Sequence, residues 1–86
     1  MQKFLFLFFI LSNVLIAQEI KIVVKDANTS DPIFQVQIET NTGDKFFTDE
    51  NGEALLEGDP REIILSKEGY ITKTQIIEEN NIIIEL

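Results

Sequence analysis

The sequence contains no cysteine, no histidine and no tryptophan, and only two prolines and four glycines among 86 residues. Without cysteine, no disulfide can stabilise a small exported domain, and no thiol can carry the lipid of a lipoprotein. Without histidine, the chain lacks the ligand that zinc peptidases use and the base that ordinary serine or cysteine hydrolases use. We therefore expect no enzyme, with no catalytic residue, no cofactor-binding residue and no metal ligand.

Carboxylates are the remaining catalytic option. Asp49, Glu50 and Glu53 surround one turn, and Glu78 and Glu79 are adjacent. A glycosidase needs two carboxyl groups on opposite sides of a cleft. Because a domain of this size hardly forms a deep cleft, we interpret these acids as solvated turn residues.

A calcium loop is a second option. Asp26, Asn28, Ser30 and Asp31 present oxygen atoms at alternating positions. The calcium loop of an EF-hand needs a glycine at its sixth position and a glutamate at its twelfth. Counted from Asp26, those positions hold Asp31 and Gln37. A non-standard calcium site stays open beside an ordinary Asx-type turn.

The charge of the chain is strongly acidic. From residue 18 onward there are six Lys or Arg and fifteen Asp or Glu, so six minus fifteen leaves a net charge of −9. Such a surface repels phosphate backbones and anionic lipid headgroups, so we expect neither nucleic-acid binding nor peripheral membrane docking. The acidity serves either solubility or attraction to a basic partner.

The first segment has the order of a secretory signal. Residues 1–3 carry a positive charge, residues 4–16 are almost wholly apolar, and Ala17 supplies a small residue at the cleavage point. An apolar run of thirteen residues falls short of the roughly twenty that span a bilayer. We predict a cleaved signal peptide at 1–17 and one domain at 18–86, exported to the periplasm or cell surface without stable membrane insertion. An uncleaved anchor is the alternative.

Apolar residues after position 18 recur with a period of two, which predicts strands and no helix. Seven strands separated by turns are typical of a sandwich or barrel. We predict strands at residues 20–25, 34–39, 45–48, 53–57, 61–66, 70–77 and 82–86. The predicted core consists of Ile20, Ile22, Val24, Phe34, Val36, Ile38, Phe46, Leu55, Ile63, Leu65, Tyr70, Ile76, Ile82 and Ile84. Since Phe46 and Phe47 are neighbours, we expect Phe47 to point outward as a contact residue.

Three turn motifs follow one another along the chain. Their residues are Asp26, Thr29 and Pro32 in the first, Thr48, Asp49 and Gly52 in the second, and Ser66, Gly69 and Tyr70 in the third. We predict that Asp26, Thr29 and Asp49 bond backbone N–H groups within their turns. Asn51 and Gly52 are expected to supply the positive φ angles of a tight hairpin. All are interpreted as structural residues.

These motifs, in this order, resemble those of the carboxypeptidase regulatory-like domains found in exported proteins of the Bacteroidetes type. Ser30 and Asp31 depart from the pattern where a glycine is usual, as does Ala54 where an aromatic is usual. The resemblance covers nearly all of residues 18–86. It implies an all-β, seven-strand Greek-key sandwich of the transthyretin-like (prealbumin-like) fold.

The resemblance also implies an accessory role. We expect a non-catalytic exported interaction module that binds a protein partner of the cell envelope. The alternatives are a carbohydrate- or calcium-binding accessory domain, or the remnant of a larger outer-membrane receptor. The sequence leaves the oligomeric state open.

Overall fold

The computed structural model describes residues 19–86, so the predicted signal peptide at 1–17 lies outside the described residues. Within this range the chain is all-β, as the period of two predicts, and contains no helix. It therefore contains no helical segment of the length and apolarity needed to cross a membrane. The seven strands are β1 (Glu19–Lys25), β2 (Gln37–Thr40), β3 (Lys45–Phe47), β4 (Glu53–Glu57), β5 (Glu62–Ser66), β6 (Lys73–Ile76) and β7 (Asn81–Glu85).

The strands form two sheets of unequal width. A three-stranded sheet has the order β4-β1-β7, in which β1 is antiparallel to β4 and parallel to β7. A four-stranded sheet has the order β3-β2-β5-β6 and is antiparallel throughout. The chain crosses between the sheets after β1, β3, β4 and β6, and β3 and β4 lie beside each other at one side of the molecule.

One hydrophobic core joins the two sheets. Alternate residues of each central strand face it, because successive side chains of a strand point to opposite faces. The buried hydrophobic residues are Ile20, Ile22, Val24, Ile33, Val36, Ile38, Ala54, Leu56, Ile63, Leu65 and Ile84. Phe46, Tyr70, Ile77, Ile82 and Leu86 pack against this cluster while remaining partly exposed. The two sheets thus share a core in the manner of a β-sandwich.

The prediction of a strand beginning at Phe34 was wrong. Phe34 and Gln35 form a turn, and Gln35 has a φ of 59°. This left-handed conformation ends the extended geometry that a strand requires, so β2 begins only at Gln37. Phe34 is consequently 49% exposed, and the neighbouring Ile33 enters the core in its place.

Leu55 was also wrongly placed in the core. In the β1–β4 ladder Leu56 is opposite Ile20 and Ala54 is opposite Ile22, so these two residues share the core face. Leu55 is opposite Lys21 and is 56% exposed. The segment Ala54–Leu56 is apolar throughout, so its own sequence does not show which residues point inward.

The prediction for Ile76 was wrong for a similar reason. The β5–β6 ladder places Gln75 opposite the buried Ile63, and Ile76 opposite Glu62. Ile76 therefore points outward, and Ile77 packs against the core instead. This strand is also shorter than predicted, because a turn closed by a hydrogen bond from Tyr70 N to Lys67 O (3.0 Å) occupies its expected start.

Candidate functional site

The first turn motif is organised by the carboxylate of Asp26, which directly follows β1. Its Oδ1 accepts hydrogen bonds from the backbone N–H groups of Asn28 (2.7 Å) and Thr29 (3.0 Å). Thr29 Oγ1 accepts one from the Asp31 N–H at 3.2 Å. Pro32 then pairs with Lys25 in an isolated antiparallel bridge, which returns the loop to the end of β1. The loop is thus bonded internally and to the strand it leaves.

Asp26 also makes a long-range contact with the third motif. The Tyr70 hydroxyl donates to Asp26 Oδ2 at 2.8 Å, across 44 positions of sequence. Gly69, at a φ of 94°, turns the chain just before Tyr70, whose ring packs against the core. The hydroxyl group of Tyr70 thereby joins the loop after β1 to the turn before β6.

This hydrogen bond shifts both titrating groups. The Tyr70 hydroxyl, followed by the Asn28 and Thr29 N–H groups, holds the pKa of Asp26 below its ordinary value. The same bond to Asp26, with desolvation adding to it, raises the pKa of Tyr70. Asp26 therefore stays ionised and Tyr70 stays protonated around neutral pH, which is the state in which their bond forms.

Thr48 is the buried residue of the second motif. Its Oγ1 donates to Ile33 O at 2.7 Å and accepts from Val36 N–H at 2.9 Å. Its backbone bonds the same segment, with Thr48 N donating to Val36 O and Gln35 N donating to Thr48 O. The Thr48 hydroxyl thus bonds both ends of residues 33–36, the irregular segment that lies where a strand was predicted to begin. This hydroxyl therefore has both a donor and an acceptor partner within the chain.

Asp49 and Gly52 shape the turn between β3 and β4. Asp49 Oδ1 accepts from the N–H groups of Asn51 (2.8 Å) and Glu53 (3.0 Å). Gly52 alone takes a positive φ, of 75°, so the expectation of a positive φ at Asn51 was wrong. The turn has the pattern of a type I turn followed by one left-handed residue, since Gly52 N donates to Asp49 O.

Gly52 also lies where neighbouring atoms leave no room for a side chain. A Cβ atom at this position would stand 2.5 Å from Val24 O and 3.0 Å from Pro32 Cβ. Gly52 O accepts from Val24 N at 2.8 Å, and Val24 O accepts from Ile33 N at 3.1 Å. The turn of the second motif therefore lies directly against the end of β1 and the first motif.

Most of the nine motif residues bond other groups of the chain. Asp26, Thr48 and Asp49 each direct their oxygens at N–H or hydroxyl groups of the protein. No group of three or more acidic side chains in the described part of the chain is arranged to hold a metal ion. The loop from Asp26 to Asp31 forms an Asx-type turn, and Tyr70 bonds its first carboxylate.

A partly apolar groove lies where β3 and β4 meet, and we call it the β3–β4 groove. It has a volume of about 430 Å³ and is lined by Lys21, Phe47, Asp49, Glu53, Ala54 and Leu55. Phe47 and Leu55 are each 56% exposed. Two of these lining residues, Lys21 and Glu53, form an exposed ion pair at 3.6 Å. The groove thus has two apolar contact points and charges of both signs.

Sequence reasoning placed Phe47 at this surface but missed Leu55. The expected position of Phe47 followed from strand alternation, whereas the outward direction of Leu55 depends on the pairing of β4 with β1.

No protein-family model matches the chain, and no curated protein matches it either.

Proposed function

We propose that this chain is a non-catalytic, exported binding module that contacts a protein partner of the cell envelope through the β3–β4 groove. The observation that carries the proposal is the exposure of Phe47 and Leu55 in one groove. Aromatic and aliphatic side chains at the centre of a polar rim are the usual energetic anchors of protein interfaces. Lys21, Asp49 and Glu53 supply such a rim.

The assignment as a module rather than an enzyme is supported by the hydrogen bonds of the motif residues. Asp26, Thr48 and Asp49 are engaged by the chain itself, and the chain has no histidine or cysteine to act as nucleophile or base. The net charge of residues 18–86 supports a protein partner over nucleic acid or an anionic membrane.

The transthyretin-like Greek-key topology remains part of this proposal. It is supported by the two sheets with a common core and by the three motifs, which meet at the end of β1 through Gly52, Thr48 and Tyr70. Export is supported by the apolar segment at 4–16. N-terminal sequencing of the protein from the envelope fraction should begin at Gln18, and a chain still starting at Met1 would contradict export by cleavage.

The partner itself is tested by capture. The purified protein, biotinylated at a terminus, is incubated with solubilised envelope proteins, and captured proteins are quantified by mass spectrometry. A partner retained by the native chain should be lost with Phe47→Ser or Leu55→Ser. It should be retained with Ile71→Ser, a matched change at a residue 89% exposed outside the groove. Equal capture by all four proteins would refute the groove as the contact surface.

A carbohydrate-binding role is the second candidate, and the exposed ring of Phe47 is the observation that favours it. Stacking of a sugar on an aromatic ring needs no charge, so such binding should be insensitive to salt. A glycan array distinguishes the two: saturable sugar binding that Phe47→Ser abolishes, with no protein captured, would favour this role.

A further inference from the structure

The outer edge of β7 carries backbone groups that no described strand bonds. Lys21 N donates to Asn80 O, and Leu86 N donates to Lys25 O. Since backbone groups alternate in direction along a strand, even-numbered residues of β7 bond β1 and odd-numbered residues face away from it. The N–H and C=O groups of Asn81, Ile83 and Glu85 therefore line an open edge. Ile83 is also 66% exposed.

Beside this edge the four-stranded sheet projects by one strand, β6, which we call the shelf. On one side of the molecule the two sheets end together, where β3 lies beside β4. On the other side the four-stranded sheet extends one strand further, so β6 passes beyond β7. Lys73, on the inward face of β6, reaches up to this edge and donates to Glu85 O at 3.3 Å. The three-stranded sheet thus lacks a strand opposite β6.

The space between the shelf and the edge is open, and several carboxylates border it. A hollow of about 190 Å³ separates the two strands and is lined by Gln75, Ile76, Glu78, Glu79 and Ile82. Glu85 adds a third carboxylate at the other end of β7. Three cations lie near these carboxylates: Lys73 bonds Glu85 O, Lys25 is opposite Glu85 in the β1–β7 ladder, and Arg61 lies close to Glu78 and Glu79.

We propose that the edge of β7 accepts an extended, basic segment of the protein partner as a fourth strand of the three-stranded sheet. This inference rests on the proposed function, which supplies a protein partner, and adds a second contact opposite the β3–β4 groove. Backbone groups of Asn81 and Ile83 bond the segment, a β-branched side chain packs beside Ile83, and Lys or Arg residues face Glu79 and Glu85. Strand addition to an open sheet edge is a recurring mode of peptide recognition.

A single segment fits this edge better than a second copy of the chain. Antiparallel pairing of two β7 strands would bring the second molecule's own wide sheet into the position that β6 already occupies. It would also bring together two chains that each carry a net charge of −9. A lone basic strand avoids both the overlap and the repulsion.

The proposal is tested with the peptide acetyl-Thr-Lys-Thr-Val-Ile-Thr-Arg-amide, titrated into the purified, isotopically labelled protein. In antiparallel register its Val stands opposite Ile83 and its Lys opposite Glu85. We expect NMR shift changes and slowed hydrogen exchange at the Asn81 and Ile83 amides. Affinity should fall severalfold as salt rises from about 50 to 300 mM, because exposed charge attraction is screened. A peptide with Glu and Asp in place of Lys and Arg should not bind.

Two matched changes separate strand addition from other contacts. Ile83→Pro removes an N–H group that bonds nothing among residues 19–86, so the fold survives but affinity should drop at least about tenfold. Lys45→Pro makes the same change on the open edge of β3, outside both contact surfaces, and should leave affinity unchanged. A peptide N-methylated at the amides facing β7 should fail to bind the native protein, which tests the same bonds without altering the fold.

The outcomes are distinct from those of the proposed function. Protection confined to other residues, unchanged affinity in Ile83→Pro together with binding of the N-methylated peptide, or no binding at millimolar peptide would each overturn the inference. A partner captured through Phe47 alongside such a result would leave the module intact and remove only the strand site. Peptide binding without any captured envelope protein would keep the strand site and remove the proposed envelope partner.

Discussion

Replacement of Gly52 by alanine should cost far more stability than the same change at the other glycines of the domain. The added Cβ would stand 2.5 Å from Val24 O, 3.0 Å from Pro32 Cβ and 3.2 Å from Ile33 N. Two of these three atoms belong to the backbone, so no flexible side chain can move aside. Gly58 and Gly69 provide matched controls, since each has a positive φ but nothing within 4 Å of an added Cβ.

The expected cost has two parts. An L-residue in the left-handed region costs roughly 1–2 kcal/mol, and this part applies to all three glycines. At Gly52 the neighbouring chain must also move, which weakens the bonds from Val24 N to Gly52 O and from Ile33 N to Val24 O. At about 1 kcal/mol for each bond, the total at Gly52 is about 3–4 kcal/mol, against about 1–2 kcal/mol for the controls.

Urea unfolding followed by circular dichroism measures this difference. For a domain of this size, each kcal/mol lowers the melting temperature by about 4–8 °C, so thermal melts give an independent reading. The free energies of unfolding should rank Gly52→Ala well below Gly58→Ala and Gly69→Ala. If the three variants lose equal stability, the close approach of the second motif to β1 is not a feature of the folded protein.

Three further changes test particular contacts. Thr48→Val keeps the side-chain shape but leaves two buried backbone groups unbonded, so the free energy of unfolding should fall by about 2–4 kcal/mol, while Thr48→Ser should lose clearly less. Leu56→Ala should cost about 2–5 kcal/mol and Leu55→Ala about 1 kcal/mol or less in the same urea assay; the reverse order would contradict the register of β4. Because the pKa of Asp26 is lower in the folded than in the unfolded protein, its contribution to stability is present above about pH 4 and is lost as the pH falls through the folded pKa. Tyr70→Phe should reduce this loss of stability in acid and raise the Asp26 pKa measured by carboxyl NMR titration. An unchanged Asp26 pKa would refute the bond.

The number and order of the strands were predictable from local sequence. Each strand carries β-branched or apolar residues, and each is bounded by turn residues such as Gly52 and Gly69. Turn chemistry acts over a few residues, so it can be read from the sequence without knowledge of the partners. The prediction of seven strands and no helix in residues 19–86 was confirmed for this reason.

The direction of side chains in apolar runs was not predictable. Both leucines of β4 satisfy a period of two, and only the pairing of Leu56 with Ile20 decides between them. Ile76 likewise points outward because Gln75 is opposite Ile63. Pairing between strands distant in sequence therefore determines which of two adjacent apolar residues is buried, and a slip of one residue reverses the choice.

The contacts that join the motifs also lie beyond local sequence, although each motif can be recognised in isolation. An aspartate after a strand predicts an Asx-type turn, and Asp26 forms one with its Oδ1. Nothing near Asp26 indicates that its Oδ2 accepts from Tyr70, 44 positions away. That second bond is what joins the first turn to the third. The domain has no disulfide, and the bond between Asp26 and Tyr70 instead links segments that are distant in sequence. The turn after β1 does not need this bond, because Asp26 Oδ1 forms it alone. Loss of the bond should therefore weaken the association of the two sheets before it disturbs either turn.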